Sequence, residues 1–482
     1  MPLLRVDVAV VGAGAAGVYA ALVAAREGAR VALVSRRPLD QSASYWAQGG
    51  IAAALAEGDS VADHIADTLA AGRGLGRPSA ARVLCEESPD RVRDLQRLGV
   101  RFDADRHGEL ALGLEGGHSH RRVVHAGGSA TGRRVPRQLS ALAATHERIE
   151  VLEWTTASAL WIADGRCVGV RAERRDDGSL LVLARGTILA TGGAAALWAR
   201  TTNPRGAIGA GMTLAHAAGA ELADLEFQQF HPTALVGGER DGFLITEAIR
   251  GEGATLLDAS GERFVDELAP RDEVALAVQR KLAEGPVYLD MRHVDPGRFP
   301  NIAEALAQSG LDPRRDLIPV APAAHYTMGG VATDLDGRSS IPGLFAVGEC
   351  ACNGLHGANR LASNSLADCF VFGRRAALAA AAGPAPPPVT PPPPPPGPNP
   401  VPTPETREAL WRLAGLERTP EGLRELAEDP FPLARLVARC ALAREESRGA
   451  HLRVDHPTAK PELAGMHSII RADGTHRFER WE

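Results

Sequence analysis

VDVAVVGAGAAGVYAALVAAREGARVALVS, residues 6–35, decides the fold. The apolar run before Gly12 reads as a buried strand. Gly12-x-Gly14-x-x-Gly17 follows at once, then an alanine-rich helical stretch, then a second apolar strand ending at Ser35. In that setting the first glycine makes a tight turn, the second lets a pyrophosphate approach the backbone, and the third lets helix and strand pack closely. The helix start also offers free N–H groups to an anion. Gly12, Ala13, Gly14, Ala15, Ala16 and Gly17 are therefore candidate dinucleotide contacts.

The second strand ends in Ser35-Arg36, where many dinucleotide-binding proteins carry an acid for the adenosine ribose. A basic Arg36 suits a 2′-phosphate, so NADP stands beside FAD at this step. A second tract, GECACNGLHGANRLASNSL at 348–366, favours FAD. Glu349 follows the apolar strand LFAV and suits ribose hydroxyls, and Arg360 suits a carboxylate. Asn364, Ser365 and Leu366 open a helix whose Leu366, Phe370 and Ala377 recur at roughly helical spacing. Such a start aims N–H groups and a positive dipole end at the anionic edge of a reduced flavin. The plain alternative is an ordinary capped helix behind a loop.

With 482 residues, 45% of them hydrophobic, the chain can bury a large core and should form two or three domains. A net charge of −6 without a basic block argues against a nucleic-acid partner. No apolar run reaches the roughly 18–20 residues of a membrane span, and Met1 leads almost directly into the first strand without a signal peptide. A cytoplasmic, non-membrane protein is expected. Six scattered cysteines fit reduced thiols. Cys350-Ala-Cys352 lacks a second pair, so no metal is expected.

Periodicity and punctuation divide the chain. An α/β, Rossmann-like domain is expected over 1–224 and 342–383, with an inserted α+β capping domain at 225–341. A proline-rich linker follows at 384–404, and a helical bundle, with segments near 405–416, 421–428 and 433–447, fills 405–482.

Nine stretches resemble the L-aspartate oxidases of the succinate dehydrogenase and fumarate reductase flavoprotein superfamily. They are GAGAAG (12–17), YWAQGGIAA (45–53), EGGHSHRRVVHAGG (115–128), ATGG (190–193), LEFQQFHPTAL (225–235), LITEAIRGEGA (244–254), ELAPRD (267–272), PAAHYTMGG (322–330) and GLHGANRLASNSL (354–366). They stand in family order, and ESRGAH at 446–451 resembles the family's C-terminal domain. The resemblance implies FAD as cofactor, contacted also by Ala43, Ser44, Tyr45, Trp46, Ala47, Gln48, Gly49 and Gly50. It implies oxidation of L-aspartate to iminoaspartate, with O2 giving hydrogen peroxide or fumarate giving succinate. This would be the first step of de novo NAD synthesis, with possible hand-off of iminoaspartate to quinolinate synthase. The alternative is a soluble fumarate reductase or succinate dehydrogenase-like flavoprotein.

Membrane-bound relatives bond FAD covalently through a histidine five residues before the AQGG glutamine. Here that position is Ala43, which implies non-covalent FAD. A four-carbon dicarboxylate needs cationic or donor groups at both ends. The resemblance assigns His231, Thr246, His325 and Arg360 to it, each from a separate motif. Glu115, where dicarboxylate reductases generally carry glutamine, is implied as partner of the substrate amine. Arg271 resembles the superfamily's proton-transferring arginine, with Glu247 or Glu252 as candidate relay partners. Each also has a plain reading: a packed histidine for His231 and His325, a helix cap for Thr246, a surface ion pair for Arg271, a solvated loop acid for Glu115. His118, His120 and His125 fit a polar wall better than a metal cluster. The chain departs from the resemblance at Gly209-Ala210-Gly211, where many relatives have an aspartate that contacts FAD, and at Met328, where they often have cysteine.

Overall fold

Five short parallel strands form one sheet, in the order Leu344–Ala346, Gly186–Leu189, Val8–Val11, Val31–Val34, Ile149–Leu152. Parallel strands are buried on both faces, which is why these segments are largely apolar instead of alternating. The computed structural model describes residues 1–128, 130–176, 178–386, 392–395, 397 and 400–482; the side chains of Asp40, Ala43 and Trp46 lie outside that description. Helix Ala15–Arg26 covers one face and packs on helix Asn364–Ala381, with Tyr19 edge-on to Phe370 at 5.2 Å. Strands Thr155–Ala163, Arg166–Arg174 and Gly178–Leu183 form an antiparallel meander joined by Leu3–Arg5.

The middle of the chain builds a separate antiparallel sheet, Gln228–Leu235, Ile318–Thr327, Tyr288–Asp290, Thr255–Leu257, backed by helices Arg271–Leu282 and Pro300–Gln308. Its core, with Ile245, Leu256, Val278, Leu289 and Ile302, is separate from the two that flank the parallel sheet. The expected α/β organisation with an α+β insertion is thus present. One sheet crosses the expected border at 341: Gly330–Ala332 pairs with Leu222–Ala223 on one side and Ala351–Cys352 on the other.

Three C-terminal helices, Pro404–Leu413, Pro420–Leu426 and Pro432–Ala443, occur where expected. They are followed by a hairpin, Met466–Ile470 with His476–Arg480, whose first strand pairs with Leu222–Ala223. The C-terminal part is therefore no detached bundle: Leu410, Leu423, Leu433 and Ile470 share one core with Val170, Leu189 and Trp198. A buried ionic network ties it to residues 224–226. Arg444 Nε donates to Glu226 Oε1 (2.6 Å) and Nη1 to Glu446 Oε1 (3.0 Å), and Arg448 Nε and Nη2 bond the same Glu446. The proline-rich tract expected at 384–404 falls partly outside the described residues; within them Trp161 Nε1 donates to Pro392 O at 2.8 Å.

Candidate functional site

Two helix N-termini meet at one cavity of about 1890 Å³. That exceeds the roughly 300–1,000 Å³ typical of a site for one drug-sized ligand. Gly12, Ala13, Gly14, Ala15 and Ala16 line it at the start of one helix, Ser365 and Leu366 at the start of the other. Gly12 has φ +111°, and a Cβ there would lie 2.2 Å from Ala190 O. Gly17 does not line the cavity; a Cβ on it would sit 1.9 Å from Gly12 O, so it serves the close turn. Gly14 caps its helix without a side chain, leaving the first N–H groups for an anion, apart from Ala15 N–H, which donates to Ser44 Oγ at 3.0 Å.

The other expected cofactor contacts sort clearly. Arg36, Ser44, Tyr45, Ala47, Gln48, Gly49, Gly50 and Glu349 line the cavity, while nothing is described of the side chains at 43 and 46. Ser35 lines it too, but its hydroxyl donates to Arg37 O at 2.5 Å. Asn364 corrects the sequence reading: its side chain is buried away from the cavity, Nδ2 donating to Thr68 Oγ1 and Oδ1 facing His64 Nε2 at 2.9 Å. Gln48 Nε2 donates to Leu244 O (2.8 Å), and its buried Oε1 has no partner among the described residues. Burial pushes the Glu349 carboxyl up to about 7, against the Thr327 N–H that donates to it. Ala210 lines the cavity where many relatives have aspartate, opening a helix behind Gly209 at φ +69°. Met328 is buried beside Phe227 and Tyr326, a packing role. A glycine cradle, two uncapped helix starts, an acid for hydroxyls and a buried unpaired amide oxygen together fit an FAD.

Beyond that region the cavity narrows in chemistry to cations and histidines. Arg271 is the first residue of its helix, with Nε donating to Glu247 Oε2 (2.6 Å) and Nη1 to Gln229 Oε1 (3.2 Å). Arg360 Nε and Nη2 donate to the same Gln229 oxygen at 3.3 and 3.1 Å. Two buried guanidiniums thus share one neutral acceptor, an arrangement that favours an arriving carboxylate. Burial, with Arg271 adding repulsion, lowers Arg360 to about 10. Burial alone would raise Glu247, but Arg271 and Arg250 outweigh it and hold the carboxyl down to about 2. Glu252 pairs instead with Arg298 on the surface, so of the two acids only Glu247 touches Arg271. Arg73 fixes the first turn of that helix, donating to Asp272 at 2.9 and 3.1 Å and to Glu273 at 2.5 Å.

His231 and His325 lie 5.2 Å apart, edge to face, and burial and nearby Arg271 drive both well below the ordinary histidine range. They are neutral at pH 7. Thr233 N–H donates to His231 Nδ1 (3.3 Å), which leaves the proton of the neutral ring on Nε2 as a donor. His325 Nδ1 contacts Thr202 Oγ1 at 2.8 Å. Thr246 is no cap: the short helix Ala248–Gly251 starts at Glu247 without a side-chain cap, and Thr246 lines the cavity.

Glu115 completes the wall. Its loop is anchored by Arg122, fully buried, which bonds Asp59 at 3.0 and 2.9 Å and Asp67 at 2.7 Å. Ser363 Oγ donates to Glu115 Oε2 at 2.6 Å, while Glu115 Oε1 is buried with no partner among the described residues. The solvated reading of this acid is therefore excluded. His118, His120 and His125 do not converge: His118 Nε2 faces Ala362 O (2.9 Å), and His120 lies by Asp63, 3.7 Å away. Ser363 and Gln229 escaped the sequence reading. Gln229 sits inside LEFQQFHPTAL, but nothing local marks a glutamine as the bridge between two arginines far along the chain.

A family model described as FAD binding domain matches residues 7–366, and one described as fumarate reductase flavoprotein C-term matches 421–480. The L-aspartate oxidase of Caulobacter vibrioides is 46% identical over 493 residues, covering 96% of both chains. That of Streptomyces coelicolor is 41% identical over 97% of this chain and 92% of its own. Among solved structures, a mutant of the Escherichia coli quinol fumarate reductase FrdA superposes with a TM-score of 0.89 at 30% identity, covering 100% of this chain and 97% of that one.

Proposed function

The chain belongs to the L-aspartate oxidase family of FAD-dependent flavoproteins, and from that premise we propose how its own residues bind and oxidise L-aspartate. It is an FAD-dependent oxidoreductase acting on L-aspartate. One observation carries the assignment of roles: Glu115, which lines the same cavity as Arg271, Arg360, His231 and His325, has a buried Oε1 with no partner among the described residues. A lone buried carboxylate oxygen costs free energy until a cation meets it. An ammonium on a dicarboxylate supplies that cation, and succinate does not.

One carboxylate of L-aspartate lies on Arg360, with Gln229 holding the guanidinium in place; His231, His325 and Thr246 hold the other. The amine meets Glu115. Fixing three groups of a small substrate leaves its α-carbon one orientation, and such positioning lowers the entropic part of the barrier. Gly12 to Ala16 and the adjoining helix start would hold the pyrophosphate of FAD, Glu349 its ribose, and Ser44, Tyr45, Ala47, Gln48, Gly49 and Gly50 with Ser365 and Leu366 the flavin end. Held there, with Ala43 offering no ring nitrogen for a covalent bond, FAD would supply the hydride acceptor, with O2 or fumarate as the terminal oxidant. Arg271 serves as the proton donor to the substrate carbon in fumarate reduction. Glu247 holds its guanidinium at 2.6 Å and connects onward to Arg250 at 3.6 Å. We place the reaction in the cytoplasm, with iminoaspartate passing to quinolinate synthase in NAD synthesis.

Anaerobic mixing of the purified holoenzyme with L-aspartate, succinate and D-aspartate, followed by flavin absorbance, tests the reading. Bleaching by L-aspartate alone is expected. Equal bleaching by succinate, or none by L-aspartate, would overturn it.

A further inference from the structure

Ser363 is one of five non-glycine residues with positive φ among the described residues, at φ 60°, ψ −2°. Glycine adopts this left-handed conformation freely and other residues reluctantly. If the backbone bend before helix Asn364–Ala381 were all that mattered, glycine would serve better. The hydroxyl does not cap the helix either. It is spent on two distant segments: Gly50 N–H donates to Ser363 Oγ at 3.0 Å, and Ser363 Oγ donates to Glu115 Oε2 at 2.6 Å.

These two bonds have a geometric consequence. With its one proton given to Oε2 and a lone pair taken by Gly50, the hydroxyl has a single orientation. It holds one carboxylate oxygen of Glu115 and leaves the other, Oε1, buried and without a partner among the described residues, in a side chain that lines the cavity together with Ser363. Gly49 backs this arrangement, since a Cβ there would stand 3.2 Å from Ser363 Oγ and 3.9 Å from Glu115 Oε1. We infer that Ser363 is a positioning residue for substrate choice: it aims the free oxygen of Glu115 at the substrate ammonium and so separates L-aspartate from dicarboxylates without an amine. The inference rests on the reading of Glu115 given above. The backbone strain at 363 is then the cost of placing a hydroxyl where three segments converge, as strained residues at functional sites commonly do.

The test compares Ser363→Gly with Ser363→Ala in the holoenzyme. Both remove the hydroxyl, but glycine relieves the backbone and alanine does not, so Ser363→Gly should melt at the higher temperature. For both, kcat/KM for L-aspartate should fall roughly 10- to 100-fold, the equivalent of one hydrogen bond to a charged group. The loss should lie chiefly in KM, while fumarate reduction and the succinate Kd, read from its perturbation of the flavin spectrum, stay within about threefold. A selectivity loss that follows melting temperature across the pair, or equal losses with aspartate and fumarate, would overturn the inference. If the unaltered enzyme is not bleached by L-aspartate, the reading of the function fails instead. If it is bleached and Ser363→Gly keeps full aspartate selectivity, only the role of Ser363 fails.

Discussion

Glu115→Gln removes one charge from the cavity and almost no volume. The amide oxygen can still accept from Ser363 Oγ, now 2.6 Å from Oε2, so the side chain keeps its anchor. What changes is the oxygen left without a partner among the described residues: Oε1 becomes an NH2 group, a donor offered to an ammonium that is itself only a donor. Removing one partner from a buried, hydrogen-bonded charge pair costs about 2–5 kcal/mol. At about 1.36 kcal/mol per decade, kcat/KM for L-aspartate should fall roughly 30- to 5,000-fold. Fumarate has no amine, so its reduction should change by less than about fivefold, and the neutral wall relieves the unpaired carboxylate. Stopped-flow flavin reduction by L-aspartate under anaerobic conditions, beside fumarate-dependent oxidation of a reduced dye, measures both. Equal losses would mean that Glu115 supports the cavity without recognising the amine, and the substrate assignment would lose its physical basis.

Arg271→Lys keeps a positive charge but not the fork that joins Glu247 to Gln229. Fumarate reduction should fall by roughly 10²- to 10⁴-fold, the usual worth of a positioned proton donor, and L-aspartate oxidation by less, as steady-state assays of both would show. Burial raises Glu349 to about 7 and ribose hydroxyls prefer its charged form, so FAD binding should release a proton. FAD affinity of the apoprotein should then tighten about tenfold as pH rises from 6 to 8, and Glu349→Gln should abolish the dependence in a fluorescence-quenching titration. Arg444→Met leaves Glu226 buried without its cation, while Glu446 keeps Arg448. It should cost about 3–5 kcal/mol, seen in denaturant unfolding, whereas the double change with Glu226→Gln should recover part of the loss.

The first thirty-five residues announce their structure because everything they need is local. A tight turn needs Gly12, a buried parallel strand needs an unbroken apolar run, and both are written within a few residues of one another. The same holds for helix Arg271–Leu282 and for the alternation of the meander. The individual site residues are legible only through motifs: composition and period say nothing about His325 or Thr246. The C-terminal hairpin is not legible, because Met466–Ile470 gains its identity by pairing with Leu222–Ala223, some 245 positions away, a partner no local pattern names.

By itself, then, the sequence determined a dinucleotide fold, a set of cationic and histidine side chains suited to a dicarboxylate, and an acid suited to an amine. The tertiary structure decided which of these act together. It turned Asn364 away from the cavity and placed the Gln229 oxygen between Arg271 and Arg360. It chose Glu247 over Glu252, and it set Ser363 against Glu115 across 248 positions of chain. The reason is physical: turns and periodicity follow from neighbouring residues, whereas charge state, tautomer and the direction of a buried oxygen follow from burial and from partners that only folding brings within hydrogen-bond reach.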